Sequence, residues 1–260
     1  MTNRTVPFSF FFFLFSSLFI AQAEVTSSLW QTKKSPHFII YYQEGPSGFV
    51  DELILRAEDY YNGIVEDLGF RRFDFWSWDN RAKIYLYKSS SDYLGDTQQA
   101  AWSGAMVSIK QRTIRTYSGQ ENFFDSILPH ELAHIIFREF IGERKDLPLW
   151  LDEGLASSGE KSSLALRMHR AKNLVNQNIY IQFEELFEIR DPALIVPYVF
   201  YAESASIIVF LKEQFGKDRF LEFSRQLRDG AGWKEALLSS FRIGSFAEME
   251  DNWKTFVLKR

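Results

Sequence analysis

The chain has 260 residues, 46% of them hydrophobic, which is enough to bury one large core or two smaller lobes. Its formal net charge of −4 argues against nucleic acid as a main partner. There is no cysteine, so disulfides and lipid attachment at a processed cysteine are excluded and stability must come from the core.

The amino terminus reads as a targeting segment. Arg4 supplies positive charge, and Phe8 to Ile20 is an apolar run of the length of a signal core, short for a membrane span. Ala21-Gln22-Ala23 follows as a small-residue cleavage site, so cleavage after Ala23 is expected. The expectation is an exported protein of bacterial type, periplasmic or secreted. Contact with a membrane is expected only if the segment stays uncleaved as an anchor. Removal of residues 1–23 leaves about 237 residues and takes away Arg4, which makes the charge −5.

Residues 24–36 are polar and are expected to form a loose lead-in. His37 to Tyr42 is β-rich, is bounded by Gly45-Pro46, and reads as a first strand. From Val50 to Leu68 the apolar residues fall at helical spacing, ending before Gly69. Lys83 to Tyr87 is a second strand, and Ser89 to Leu94 a short turn or helical piece. Ala105 to Thr116 reads as a third strand, with Met106, Ser108, Lys110 and Arg112 on one face, either lining a substrate cleft or forming a solvent-washed edge. Asp125 is expected to cap the next helix, with Pro129 in its first turn and Gly142 at its end. A charged connector follows, and Pro148 opens another helix. Beyond Ser157 helices are expected at about 162–176, 198–215, 217–229, 232–239 and 245–258.

The expected class is α+β: a small mixed sheet with helices (residues 24–125), then a mostly helical half (residues 126–260), with the site in the cleft between them.

The chemistry is concentrated in His130-Glu131-Leu132-Ala133-His134. Two histidines four apart on a helix share a face and can grip one metal ion. Glu131 is turned by about 100° from His130, close enough to reach a water on that metal without acting as a ligand. The bland alternative is a helix with two surface histidines and a solvated glutamate. A catalytic zinc needs a third protein ligand and an open position. Trp150-Leu151-Asp152-Glu153-Gly154-Leu155-Ala156 supplies a candidate, because Glu153 follows His134 by 19 residues, room for a turn and a returning helix. Gly154 and Ala156 leave space for close packing. Each ligand histidine also needs an acceptor on its other nitrogen, and Asp152, Ser157 and Glu160 are the nearby choices.

H-E-L-A-H followed by W-L-D-E-G-L-A resembles the gluzincin zinc metallopeptidases, in particular the peptidase MA-like domains and the catalytic domain of the aminopeptidase N family. The resemblance implies a zincin-like fold and one zinc ion held by His130, His134 and Glu153, with Glu131 as general base. Tyr201-Ala202-Glu203-Ser204-Ala205-Ser206 is similar to a third segment of those families, whose tyrosine donates to the oxyanion. That implies this role for Tyr201, with Tyr198 one turn earlier as the fallback and a buried core tyrosine as the bland reading. Ser204 stands where glycine is common. Gly104-Ala105-Met106-Val107-Ser108 lacks the glutamate with which aminopeptidases hold a substrate amine, so exopeptidase activity is not implied. The chain is also far shorter than those enzymes and resembles only their catalytic unit.

The function expected is an exported zinc metallopeptidase acting on peptides or proteins. The rival is a catalytically silent peptidase-like module for binding or assembly in the cell envelope, which would have no need of Glu131. His37 and His169 are expected to be structural or solvated, and the basic run Arg167, Arg170 and Lys172 to be a charged helix face.

Overall fold

The computed structural model describes residues 30–43, 47–70, 76–99, 104–191 and 196–260. The targeting segment with its cleavage site, and the turn at Gly45-Pro46, lie outside the described residues.

Five strands form one mixed sheet in the order β1-β2-β3-β5-β4. They are β1 (Gln31–Lys34), β2 (Phe38–Tyr42), β3 (Ala82–Tyr87), β4 (Ala105–Ser108) and β5 (Thr113–Tyr117). β2, β3 and β5 run parallel, while β1 and β4 pair antiparallel at the two edges. Alternation sends Phe38, Ile40, Ile84, Leu86 and Ile114 to one buried face. Helix α1 (Phe49–Asp67) packs there through Leu53, Ala57, Tyr61 and Val65, which recur every four residues. Helix α2 (Ser90–Thr97) is capped by Ser89, whose hydroxyl accepts from the Asp92 amide at 3.2 Å.

Three expectations need correction here. The lead-in is not wholly loose: Gln31–Lys34 pairs with β2 as an edge strand. All four of its residues are exposed, so it carries no apolar alternation to read. Residues 105–116 are not one strand but the hairpin β4–β5, in which Ser108 pairs with Thr113 and Lys110 and Arg112 lie in the turn. Arg112 takes a left-handed conformation, φ 49°, without the glycine or asparagine that marks such turns. Its guanidinium instead pairs with Glu139. Asp125 is not a helix cap either. It lies within a π-helical turn (Phe123–Ile127) that runs directly into the next helix, so no free amide at that point needs its carboxylate. Asp125 is exposed and lies 3.9 Å from Arg56.

The remainder is helical. α3 (Leu128–Ile141) carries the H-E-x-x-H sequence and ends at Gly142, where φ is 77°. α4 (Leu149–Gly159) returns after a connector pinned by Arg144, which donates to Asp146 at 2.9 Å and to the Leu227 carbonyl. Then follow α5 (Lys161–Asn176), a short α6 (Phe183–Leu186), α7 (Pro197–Phe215), α8 (Lys217–Arg228), α9 (Trp233–Phe241) and α10 (Phe246–Lys259). α7 is buried along most of its length and packs most extensively on α4. Trp150 of α4 stacks on Phe187 at 4.7 Å, which closes the apolar side of α4. The molecule is thus α+β, a small mixed sheet followed by a mostly helical half. Among the described residues no helix is long and apolar enough to cross a membrane.

Candidate metal centre

Helical spacing places His130 and His134 one above the other on α3, with their Nε2 atoms 3.2 Å apart. α4 brings Glu153 against them. Its carboxylate oxygens lie 3.5 Å from Nε2 of His130 and 3.8 Å from Nε2 of His134. One donor atom from each residue falls within 4.8 Å of the others. Tetrahedral zinc with ligand distances near 2.0–2.1 Å needs donors roughly 3.3 Å apart, so this set fits the ion in both spacing and chemistry.

The outer nitrogen of each ring faces a carboxylate. Nδ1 of His130 lies 2.8 Å from Oε1 of Glu160. Nδ1 of His134 lies 3.1 Å from Oδ1 of Asp152 at an oblique approach. Both rings therefore turn Nε2 toward Glu153. Of the three candidate acceptors, Glu160 and Asp152 take one histidine each. The hydroxyl of Ser157 is buried without a hydrogen-bond partner among the described residues.

These carboxylates are themselves fixed. Nε of Arg138 donates to both oxygens of Asp152 at 3.1 Å. Glu160 accepts from Ser126 at 2.6 Å, Arg167 at 2.7 Å and Ser163 at 2.8 Å. Burial works against the charge on both acids. The histidine that each one meets, followed by Arg138 for Asp152 and by Ser126, Arg167 and Ser163 for Glu160, outweighs it and holds each down to about 2. Burial likewise opposes a charge on His130. Its bonds to Glu153 and Glu160, with the charge of Glu131, overcome that and push the imidazole up to about 10.

Beside the histidines lies a cavity of about 220 Å³, lined by Ser126 and Ile127 of the π-turn, His130, Glu131, Glu160, Arg167 and Tyr201. Burial raises the Glu131 carboxyl above its ordinary value, against the pull of the two histidines. Burial, with the charge and hydrogen bonding of Glu153, pushes the Tyr201 phenol up to about 12, so it carries its proton at neutral pH. Tyr198 is 56% exposed and is not among the residues lining the cavity. A larger cavity of about 490 Å³ lies between α1, α4 and α7, but it contains none of these donors.

Arg167 departs from its expected place on a solvated helix face. Its side chain is largely buried, pairs with Glu160 and sits 5.7 Å from the centre of the Tyr201 ring. Ser163 and Arg167 fall on one face of α5, three and seven residues after Glu160 at its N-terminal boundary, the signal that marks Arg167 as part of the site. His37 lies in the bend before β2, bound to Glu58 at 2.6 Å and stacked on Tyr61, and His169 is exposed beside Asn173.

A mixed sheet, an H-E-x-x-H helix and a glutamate returning on the next helix define a zinc-metallopeptidase-like domain. The sequence matches the peptidase MA superfamily over residues 78–259, and the chain belongs to that superfamily. Its fold is similar to the crystal structure of an M1 zinc metallopeptidase from Deinococcus radiodurans, with a TM-score of 0.51 at 16% identity. That similarity covers 88% of this chain and 51% of the other, so this chain spans about half the length of that enzyme. Among curated proteins none matches the sequence.

Proposed function

We infer that the protein is a zinc-dependent metallopeptidase hydrolysing peptide bonds in peptides or proteins, and that it is exported after cleavage behind Ala23. The observation that carries this reading is the convergence of His130, His134 and Glu153 on one point with Glu131 beside it. Zinc, when bound there, supplies Lewis acidity that brings water's pKa toward neutrality and polarises a scissile carbonyl.

The chain's own residues supply the remainder. Asp152 and Glu160 fix the ring orientations, so both Nε2 atoms stay turned toward Glu153, where the three residues would hold zinc. Glu131 accepts a proton from the attacking water on its carboxylate and returns it to the leaving amine. The Tyr201 hydroxyl donates to the carbonyl oxygen as it gains charge, a contribution of about 3 kcal/mol when aligned.

The test uses purified protein, with and without added zinc, on unfolded casein and a peptide library. Wild type is expected to hold zinc and cleave. Glu131→Gln is expected to hold the same zinc and not cleave. A wild type that binds no zinc, or a variant that cleaves equally well, sinks the enzyme reading in favour of a binding module. Amino-terminal sequencing of the exported protein tests the leader, since a first residue other than Glu24 refutes the cleavage assigned here.

A further inference from the structure

The sheet face turned away from α1 has a chemistry of its own. Alternation along β3 and β5 points Tyr85, Tyr87 and Arg115 to that side, and the register sets Tyr41, Tyr85 and Arg115 in one row. Tyr41 stacks on Tyr85 with ring centres 4.7 Å apart. The Arg115 guanidinium lies 4.9 Å from the centre of the Tyr85 ring. Trp30 stands edge-on to Tyr85 at 5.5 Å and to Tyr87 at 4.9 Å. α2 flanks the row and contributes Asp92 and Asp96. With Gln43, and with Tyr41 behind Tyr85 outside the lining, these groups border a pocket of about 270 Å³ that shares no lining residue with the metal centre.

The polar atoms around the rings are both donors and acceptors. Gln43 spends its carbonyl oxygen on the Lys88 amide at 3.2 Å, which leaves its NH₂ to donate. Asp96 accepts from the Tyr87 hydroxyl and Asp92 from the Ser89 hydroxyl, and each carboxylate keeps further lone pairs. Two carboxylates disfavour an anionic ligand. A cationic ligand meets Arg115 already seated over the Tyr85 ring. A neutral polyhydroxyl ring satisfies all of these groups at once. Tyr41 and Arg115 already cover the Tyr85 ring, so the ligand's C–H face stacks on the Trp30 indole; its hydroxyls donate to Asp92 and Asp96, and they accept from Gln43 and Arg115. The volume lies just under the roughly 300–1,000 Å³ of drug-sized sites, which suits one ring of a glycan.

We propose that this pocket binds a neutral saccharide, separately from the metal centre. The test titrates the full chain with cellotetraose, maltotetraose and chitotetraose, followed by NMR of the indole and side-chain amide signals. Saturable binding of at least one sugar is expected, with shifts at the Trp30 indole and the Gln43 amide. Trp30→Ala is expected to abolish it, and Asp92→Asn, a substitution at the pocket rim that leaves the core untouched, to weaken it about tenfold. Zinc content should be unchanged in both variants. No saturable binding by any of the three sugars overturns the proposal, as does binding that both variants retain. Preferential binding of tetramethylammonium at Trp30 overturns it in favour of a cation site.

Discussion

Gly154 of α4 faces the backbone of Ser204 on α7 so closely that a Cβ at Gly154 would stand 2.5 Å from the Ser204 carbonyl oxygen. Backbone cannot yield as a flexible side chain can, so an added methyl must push the two helices apart. Glu153 is the neighbouring residue and moves with α4. Gly154→Ala is expected to cost about 1–3 kcal/mol of stability and to weaken zinc binding by displacing Glu153. Thermal melts and competition with a chromogenic zinc chelator measure the two effects. A variant with wild-type melting and wild-type zinc affinity would show that this contact does not set the position of the ligand.

Glu160 holds His130 while accepting from three other side chains, so its carboxylate is the most heavily engaged acceptor around the site. An amide at that position offers one oxygen in place of two. Glu160→Gln is expected to lower zinc affinity about 10–100-fold, the usual scale for losing a histidine's supporting acceptor. Ser163→Ala removes one of the four donors without touching the histidine, and its zinc affinity should stay near wild type. Equal losses in the two variants would mean that general loosening, not the orientation of His130, explains the effect.

The sequence is most readable where periodicity and motif agree. The 3.6-residue period placed α1, α5, α7, α8 and α10 within one or two residues, because each buries one continuous stripe or a whole surface. His130, His134 and Glu153 were legible as candidates because two lie one turn apart and the third sits in a marked segment on the returning helix. What stayed hidden depends on tertiary partners. β1 has no buried face, and only its pairing with β2 reveals it. The β4–β5 turn lacks turn residues because Glu139 of α3 holds Arg112 from outside. Glu160 lies just past the end of α4, at φ −76° and ψ 83°. A broken helix, not a period, aims it at His130, so spacing alone did not separate it from Asp152 or Ser157.

Tyr201 lines the cavity beside His130 and Glu131 and keeps its proton at neutral pH. Tyr201→Phe removes one hydroxyl and leaves the ring that Arg167 covers. If the hydroxyl donates to developing negative charge, kcat should fall about 10²–10³-fold, with KM and bound zinc little changed. Tyr198→Phe serves as the comparison, since that ring is exposed at the start of α7. Steady-state kinetics on one cleaved peptide decide the matter. Equal activity of the two variants would remove Tyr201 from the mechanism.

Glu203 does not line the cavity, yet it supplies a pH dependence of stability. It is fully buried on α7, accepts from the Ile181 amide at 2.9 Å, and leaves its second oxygen without a partner among the described residues. Burial, helped by the charges of Glu250 and Glu185 against the Ile181 bond, raises its carboxyl to about 8. An unfolded chain releases this proton near the ordinary value of 4.5, whereas the folded chain holds it until about 8. The unfolded state is therefore progressively favoured as pH rises through that window, by a few kcal/mol at most. Glu203→Gln keeps an acceptor for Ile181 and has nothing to ionise. Its urea midpoint should lie near that of wild type at pH 4.5 and above it at pH 8. A difference between the two proteins that is the same at both pH values would mean that Glu203 titrates alike in the folded and unfolded chains.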